Sequence, residues 1–127
     1  MGVEHIGKVK AGIETTNLVG EELNEVVFKA LRALTIAKDD LIHKLAQKEL
    51  GFEIKLEDLV GRVRFNTHNP NDLNSPTTYF LDSKPLVRFE APETQVFTTE
   101  GKTYFEITCQ CQSFLTGQGE VKNPVFH

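Results

Sequence analysis

A single long amphipathic helix is the feature that most constrains the fold of this chain. Between about Gly20 and Leu50, apolar residues recur at three- and four-residue spacing, which predicts a helix with one buried face. That stripe consists of Leu23, Val27, Ala30, Leu31, Leu34, Leu41 and Leu45, with Val26, Ala37 and Ile42 at its edges. The segments after Gly51 have the patterns of strands and turns, so the helix and an antiparallel sheet are expected to share one core.

Both ends of the predicted helix carry recognisable signals. Asn17 is the best N-cap candidate and Gly20 is the alternative, because both residue types are favoured at that position. The carboxylates of Glu21 and Glu22 suit the positive end of the helix dipole. At the other end, Gly51 is suited to the left-handed conformation that closes many helices.

Two features disturb the helical pattern. Phe28 and Ile36 project among the charged residues opposite the apolar stripe, which indicates either a second covering layer or a contact with a partner. The pair Asp39-Asp40 could end one helix and cap another, so a break between Thr35 and Asp40 remains an alternative to one continuous helix.

Strand-like segments flank the helix. Alternation of apolar and polar residues, with turn formers between the segments, is the basis of each prediction. The predicted strands are residues 5–14, 52–56, 62–66, 77–81, 85–90, 94–98 and 103–115. Residues 57–60 could instead form one helical turn, and Gly101 marks a hairpin turn before the last strand.

Together these elements predict an α+β fold. We expect an N-terminal strand and one long amphipathic helix packed on an antiparallel sheet of about five to six strands, with a kink near residues 35–40 as the alternative to a straight helix. Residues 1–115 would form a single domain and residues 116–127 a poorly ordered tail. The element order is similar to that of hot-dog and cystatin-like folds, but no functional motif of those folds can be placed on these residues.

The last strand separates two faces. One face is predicted to enter the core and carries Cys109 and Cys111, which we interpret as buried, reduced thiols. No second cysteine pair exists to complete a metal site, so no metal is expected. The sequence has no P-loop or Rossmann glycine pattern, and no cofactor is expected. The other face runs from Tyr104 to Gln112 and is compatible with solvent, another chain or a wet ligand surface.

Charge and hydropathy exclude several classes of partner. The chain has 14 basic and 18 acidic residues and a formal charge of −4, which argues against a nucleic-acid or anionic membrane surface. No run of about 18 apolar residues predicts a transmembrane helix, and residues 1–10 lack the apolar core of a signal peptide. A soluble, cytoplasmic protein is therefore expected.

The densest cluster of polar groups is the loop from His68 to Asp72. Its residue types are those of a long turn, but a histidine beside a carboxylate could also act in acid–base chemistry. Glu21 and Glu25 are the other carboxylates that could join it. These four residues define the enzymatic alternative, a small hot-dog-like enzyme acting on acyl thioesters.

The leading functional hypothesis is a non-catalytic binding or self-assembling module that acts through protein–protein contacts. It depends on Phe28, Ile36 and Tyr104 as partner-binding residues and on the lack of catalytic spacing. The partner would be a second copy of the chain or another protein. A carrier of apolar ligands is a further alternative and would need an enclosed pocket rather than a packed core.

Overall fold

Eight elements follow one another along the chain. The computed structural model describes residues 5–72 and 75–114. Their order is β1 (His5–Glu14), α1 (Glu21–Leu50), α2 (Leu56–Val60), β2 (Val63–Thr67), β3 (Thr77–Leu81), β4 (Lys84–Phe89), β5 (Glu93–Thr99) and β6 (Lys102–Ser113).

The long strand β6 organises the antiparallel sheet. Its first edge pairs with β1 along ten residues without interruption, from His5 opposite Ser113 to Glu14 opposite Tyr104. Its second edge pairs first with β5 and then with β4, and β3 and β2 extend the sheet beyond β4. Strand β5 therefore lies beside β6 in line with β4, and none of the described strands pairs with its outer edge.

A short irregular segment separates β4 from β5. Phe89 lies opposite Cys111 and Glu93 lies opposite Thr108. The four residue steps from Phe89 to Glu93 therefore match only three residue steps along β6, as in a β-bulge. The Cys109 thiol, which lies between those two positions on β6, donates to the Glu90 carbonyl oxygen at 2.9 Å. After this irregularity, β5 continues along the same edge of β6 that β4 occupies and does not pair with β3.

The core lies between the inner face of the sheet and α1. Helix α1 packs chiefly on β1 and also contacts β6 and β4. Among the most deeply buried side chains are Leu45, Leu86, Val87, Phe89, Cys109 and Cys111. The predicted inward face of the last strand, including both thiols, is thus confirmed.

The predicted α+β fold is confirmed, with six strands in one sheet. Helix α1 runs from Glu21 to Leu50 without a break, so the alternative of two helices meeting at Thr35–Asp40 is wrong. The predicted tail at residues 116–127 lies outside the described residues.

Helix α1 begins at Gly20, the alternative N-cap, and not at Asn17. Gly20 is the N-cap of α1, whereas Asn17 has φ 67° and belongs to the turn that leaves β1. The hydroxyl of Thr16 accepts from the Thr103 backbone N–H at 2.9 Å, and the Thr15 N–H donates to the Thr103 carbonyl at 2.7 Å. These bonds tie the turn to β6, and the helix begins only after it.

The predicted strand at residues 52–56 is absent. The Ile54 N–H donates to the Gln47 side-chain oxygen at 3.0 Å, and the His43 ring nitrogen Nε2 donates to the Ile54 carbonyl at 2.7 Å. Because side chains of α1 use both backbone groups of Ile54, this segment is held as a connection and not as a strand. It leads into the short helix α2, which was the alternative for residues 57–60.

The N-terminal part of the apolar stripe is not core. Val26 and Ala30 are buried, but Leu23 and Val27 are 43% and 42% exposed. The reason is the position of α1 over β1 and β6, which leaves the neighbouring inner face of β5 uncovered. Val96 on that face is 66% exposed. The sequence-based assignment of Leu23 and Val27 to the core is therefore wrong.

Candidate binding site

Three depressions follow one another along one side of α1, and we call them together the trough. The helix contributes Leu23 and Val27 to the first, Leu31 and Lys38 to the second and Ile42 to the third. Successive residues of this set are four or seven positions apart and share one flank of the helix. From Leu23 to Ile42 the trough extends about 28 Å, at 1.5 Å per helical residue.

The first depression lies between the N-terminal half of α1 and the start of β6. It has a volume of about 460 Å³ and an open mouth. Its floor is the uncovered inner face of the sheet, where Val96 of β5 lies opposite Phe105 of β6. The lining residues are Thr15, Thr16, Asn17, Leu18, Leu23, Val26, Val27, Val96, Thr103 and Phe105. Apolar side chains of α1 and β5 remain accessible in this depression, namely Leu23, Val27 and Val96.

The second depression lies over the junction of β4 and β5. It has a volume of about 380 Å³ and mixes apolar walls with polar groups. The lining residues are Leu31, Leu34, Thr35, Lys38, Asp39, Ser75, Thr77, Tyr79, Phe89, Glu90 and Pro92. The Lys38 ammonium lies 5.3 Å from the centre of the Phe89 ring, a cation–π contact that keeps the charge at the wall.

The third depression continues the second towards α2. Asp39 and Tyr79 line both of them, and the third has a volume of about 230 Å³. Its other lining residues are Ile42, Leu56, Leu59, Val60 and Val63. The trough is therefore apolar at both ends and polar in the middle.

Charged and titratable groups converge on the middle of the trough. Burial, followed by the neighbouring carboxylate of Asp40, raises the pKa of Asp39, and the Lys38 ammonium opposes that shift. Burial is also the main cause that raises the pKa of Tyr79, with the charge of Asp39 second. The charged form of Asp39 is thus less favourable in the folded chain than in water.

The two thiols lie beneath this region and are not activated. Burial raises the pKa of Cys109, although the Lys38 ammonium acts against it. Burial, followed by the neighbouring Cys109, raises the pKa of Cys111 to about 12. A nucleophilic cysteine requires the opposite shift, so neither thiol suits nucleophilic chemistry.

The predicted partner-binding residues lie outside the trough. Phe28 and Ile36 are 66% and 62% exposed, so their predicted projection away from the core is confirmed. Nine residues of helix place Ile36 about 180° from Val27, on the opposite flank of α1. Tyr104 stacks on Phe97 with ring centres 5.4 Å apart, on the outer face of the sheet. Their role in binding stays a prediction.

The four residues of the enzymatic alternative occupy two separate elements. Glu21 and Glu25 are exposed in the first turns of α1, and His68 and Asp72 are exposed in the β2–β3 loop. Backbone bonds organise that loop as a turn: His68 N–H donates to the Pro76 carbonyl at 2.9 Å. None of the four lines any of the three depressions.

Sequence reasoning missed Val96, Lys38 and Tyr79 as site residues. Lys38 lies beside the apolar stripe of α1, where the periodicity predicts core and no site, and Val96 belongs to a short strand with ordinary alternation. The composition of β5 was the signal that could have indicated this site. Val96 is the single aliphatic residue on the inner face of β5, and its neighbours on that face are polar. A strand fully covered by a helix would carry more than one.

Comparison with known proteins does not assign this chain to a family. No family model, no curated protein and no solved structure matches the chain. Within residues 5–72 and 75–114, no helix has the length and apolarity that crossing a membrane requires. In the same ranges, no three His, Cys, Asp or Glu side chains cluster so as to hold a metal ion. The fold and the trough are thus the basis for the functional proposal.

Proposed function

We propose that this protein is a non-catalytic binding module that holds an extended, mainly apolar polypeptide segment in the trough along α1. The observation that carries the proposal is the exposure of Leu23, Val27 and Val96 around one groove. Monomeric proteins rarely leave contiguous apolar surface of this kind open, and where they do it usually marks an interaction site. The groove lies between two rigid elements, which suits a preformed site.

The shape of the trough favours a polypeptide over a small molecule. A single ligand pocket encloses most of its ligand, whereas these three depressions are shallow and arranged in a row. A length of about 28 Å matches eight or nine residues of an extended chain at about 3.3 Å each. Successive side chains could then enter successive depressions.

The free edge of β5 favours an extended conformation in that segment. Among the described residues, no strand pairs with the outer edge of Glu93–Thr99, the strand whose Val96 lines the first depression. Unpaired backbone groups at a sheet edge can bind an added strand, while side-chain pockets provide the selectivity. The polar middle of the trough, with Lys38 and Asp39, favours a polar residue between two apolar ones.

The first prediction compares two residues with the same exposure. Val96→Glu places a charge inside the trough, and Phe28→Glu places one on α1 outside it; both wild-type side chains are 66% exposed. We expect Val96→Glu to weaken binding of a fluorescein-labelled nonapeptide by about tenfold or more, because a charge must then lose its water on binding. The peptide carries leucine and valine near both ends and serine in the middle. Fluorescence anisotropy measures its dissociation constant with each variant.

Phe28→Glu is the matched control and should change the affinity by less than about twofold. The paired variant Phe28→Glu/Ile36→Glu extends the control to Ile36, an exposed apolar residue of α1 that, like Phe28, lines none of the three depressions. If these variants abolish peptide binding while Val96→Glu does not, the partner surface is the Phe28–Ile36 side and the trough proposal is wrong. Failure of the wild-type protein to bind any such peptide would also contradict it.

A further inference from the structure

Strand β1 forms an unusually regular edge of the sheet. Its register with β6 continues over ten residues without a bulge, and none of the described strands pairs with its other edge. Sheet edges are normally protected by proline, a bulge, an inward-pointing charge or charged side chains, lysine above all. Between Gly7 and Glu14, where the side chains are described, the inner face carries Val9, Ala11 and Ile13 besides Gly7, and β1 contains no proline, so the outward lysines are the protection present here.

The charges on β1 are arranged to complement a second copy of the same strand. Lys8, Lys10 and Glu14 are exposed on the outer face. Neither Lys8 nor Glu14 forms an ion pair with any described residue. If two β1 strands pair antiparallel about a twofold axis at Ala11, each Lys8 lies directly opposite the partner copy's Glu14. Registers centred one or two residues earlier would place lysines opposite lysines.

The same register also matches the inner face. Val9 then lies opposite Ile13 of the second copy, and Ala11 lies opposite its own equivalent. Cross-strand apolar pairs and opposite charges both stabilise a sheet, whereas like charges directly opposite one another destabilise it. Both faces of β1 are therefore compatible with the alignment at Ala11. A pairing centred at Gly12 would join Lys10 to Glu14 and Ala11 to Ile13, but it would span five residues of β1 (10–14), whereas the pairing at Ala11 spans seven (8–14).

The helix above this edge is compatible with the pairing. Helix α1 packs chiefly on β1, so two copies joined at β1 would bring their α1 helices side by side. The trough lies on the side of α1 where β5 and β4 are, across β6 from β1, so both troughs would remain open on the far sides of the pair.

We infer that two copies of this chain associate through antiparallel pairing of β1 with β1, with Lys8 opposite Glu14, to form one continuous twelve-stranded sheet. This interface does not depend on what the trough binds. A pair related by a twofold axis uses the same surface on both copies, which is the commonest form of protein oligomer.

Charge exchange tests the register. Sedimentation equilibrium should give a mass near twice the 14.3 kDa of one chain for the wild type. Lys8→Glu and Glu14→Lys should each raise the dissociation constant by about tenfold, because each places two like-charged pairs in the seam. The double variant Lys8→Glu/Glu14→Lys should restore the wild-type constant.

Lys10→Glu serves as the register control. In the inferred alignment Lys10 lies opposite Gly12, so this variant should change the constant less than Lys8→Glu does. Circular dichroism of each variant establishes that the fold is retained. A wild type that sediments as a single chain, a double variant that is not restored, or an equal effect of Lys10→Glu would each overturn the inference.

Discussion

At the scale of single residues, Asp39 is the most informative group in the trough. Its carboxyl lies between the polar second depression and the apolar third one. Burial and the nearby Asp40 raise its pKa, so the charged form costs more in the folded chain than in water. A carboxylate held at such a cost in a groove is a common property of functional sites.

This cost has a defined dependence on pH. Asp39→Asn should raise the free energy of unfolding at pH 7, because the substitution removes a charge that folding disfavours. The gain should shrink as the pH falls through the raised pKa of Asp39, and it should vanish below the ordinary value of 3.8, where both states are protonated. Urea unfolding at several pH values measures this. A destabilised variant at pH 7, or a gain independent of pH, would contradict the assignment.

At the scale of elements, the C-terminal end of α1 depends on one backbone conformation. Gly51 has φ 83°, and its N–H donates to the Gln47 carbonyl at 2.8 Å, which closes the last turn. A side chain in that left-handed conformation meets steric repulsion from its own backbone. The cap also positions the connection that leads to α2 and the third depression.

Alanine substitution at two glycines separates the effect of the cap from that of glycine in general. Gly51→Ala should lower the free energy of unfolding by about 1 kcal/mol. Gly61 ends α2 with φ −74°, and an added Cβ would meet nothing within 4 Å. Gly61→Ala should therefore be neutral or slightly stabilising. Chemical denaturation of both variants measures this, and equal losses would show that the left-handed cap is not the cause.

The elements were mostly predictable because their signals are local. The bounds of α1, the hairpin before β6 and the inward face of β6 follow from periodicity and turn residues. The conformation of residues 52–56 was not predictable, because their alternation of apolar and charged residues resembles a strand. Only the hydrogen bonds of Ile54 with His43 and Gln47 show that its backbone groups are not paired in the sheet. Local patterns do not reveal which side chain will accept a distant N–H.

The candidate site was less predictable, again because it depends on long-range contacts that a local pattern does not reveal. Leu23, Val27 and Ala30 have the same helical spacing, yet only Ala30 is buried. The difference arises from where β5 lies in the sheet, which depends on the irregular junction at Glu90 and on long-range pairing with β6. Periodicity identifies an apolar face of a helix, but it does not establish how much of that face the sheet covers.

At the scale of the whole molecule, the chain presents two sides with different properties. One flank of α1 overhangs the trough, and the other flank lies above the regular edge of β1. The proposed function uses the first side for an extended segment of a partner, and the inferred pairing uses the second for another copy. The two proposals can therefore fail independently, since no residue is required by both.

Methyl NMR with the same nonapeptide tests the central claim most directly. In protein labelled at the methyl groups of isoleucine, leucine and valine, each side of α1 carries its own reporters. The account predicts that the peptide shifts the methyl signals of Leu23, Val27 and Val96 and leaves that of Ile36 unchanged. Shifts at Ile36 without shifts at the three trough residues would contradict it.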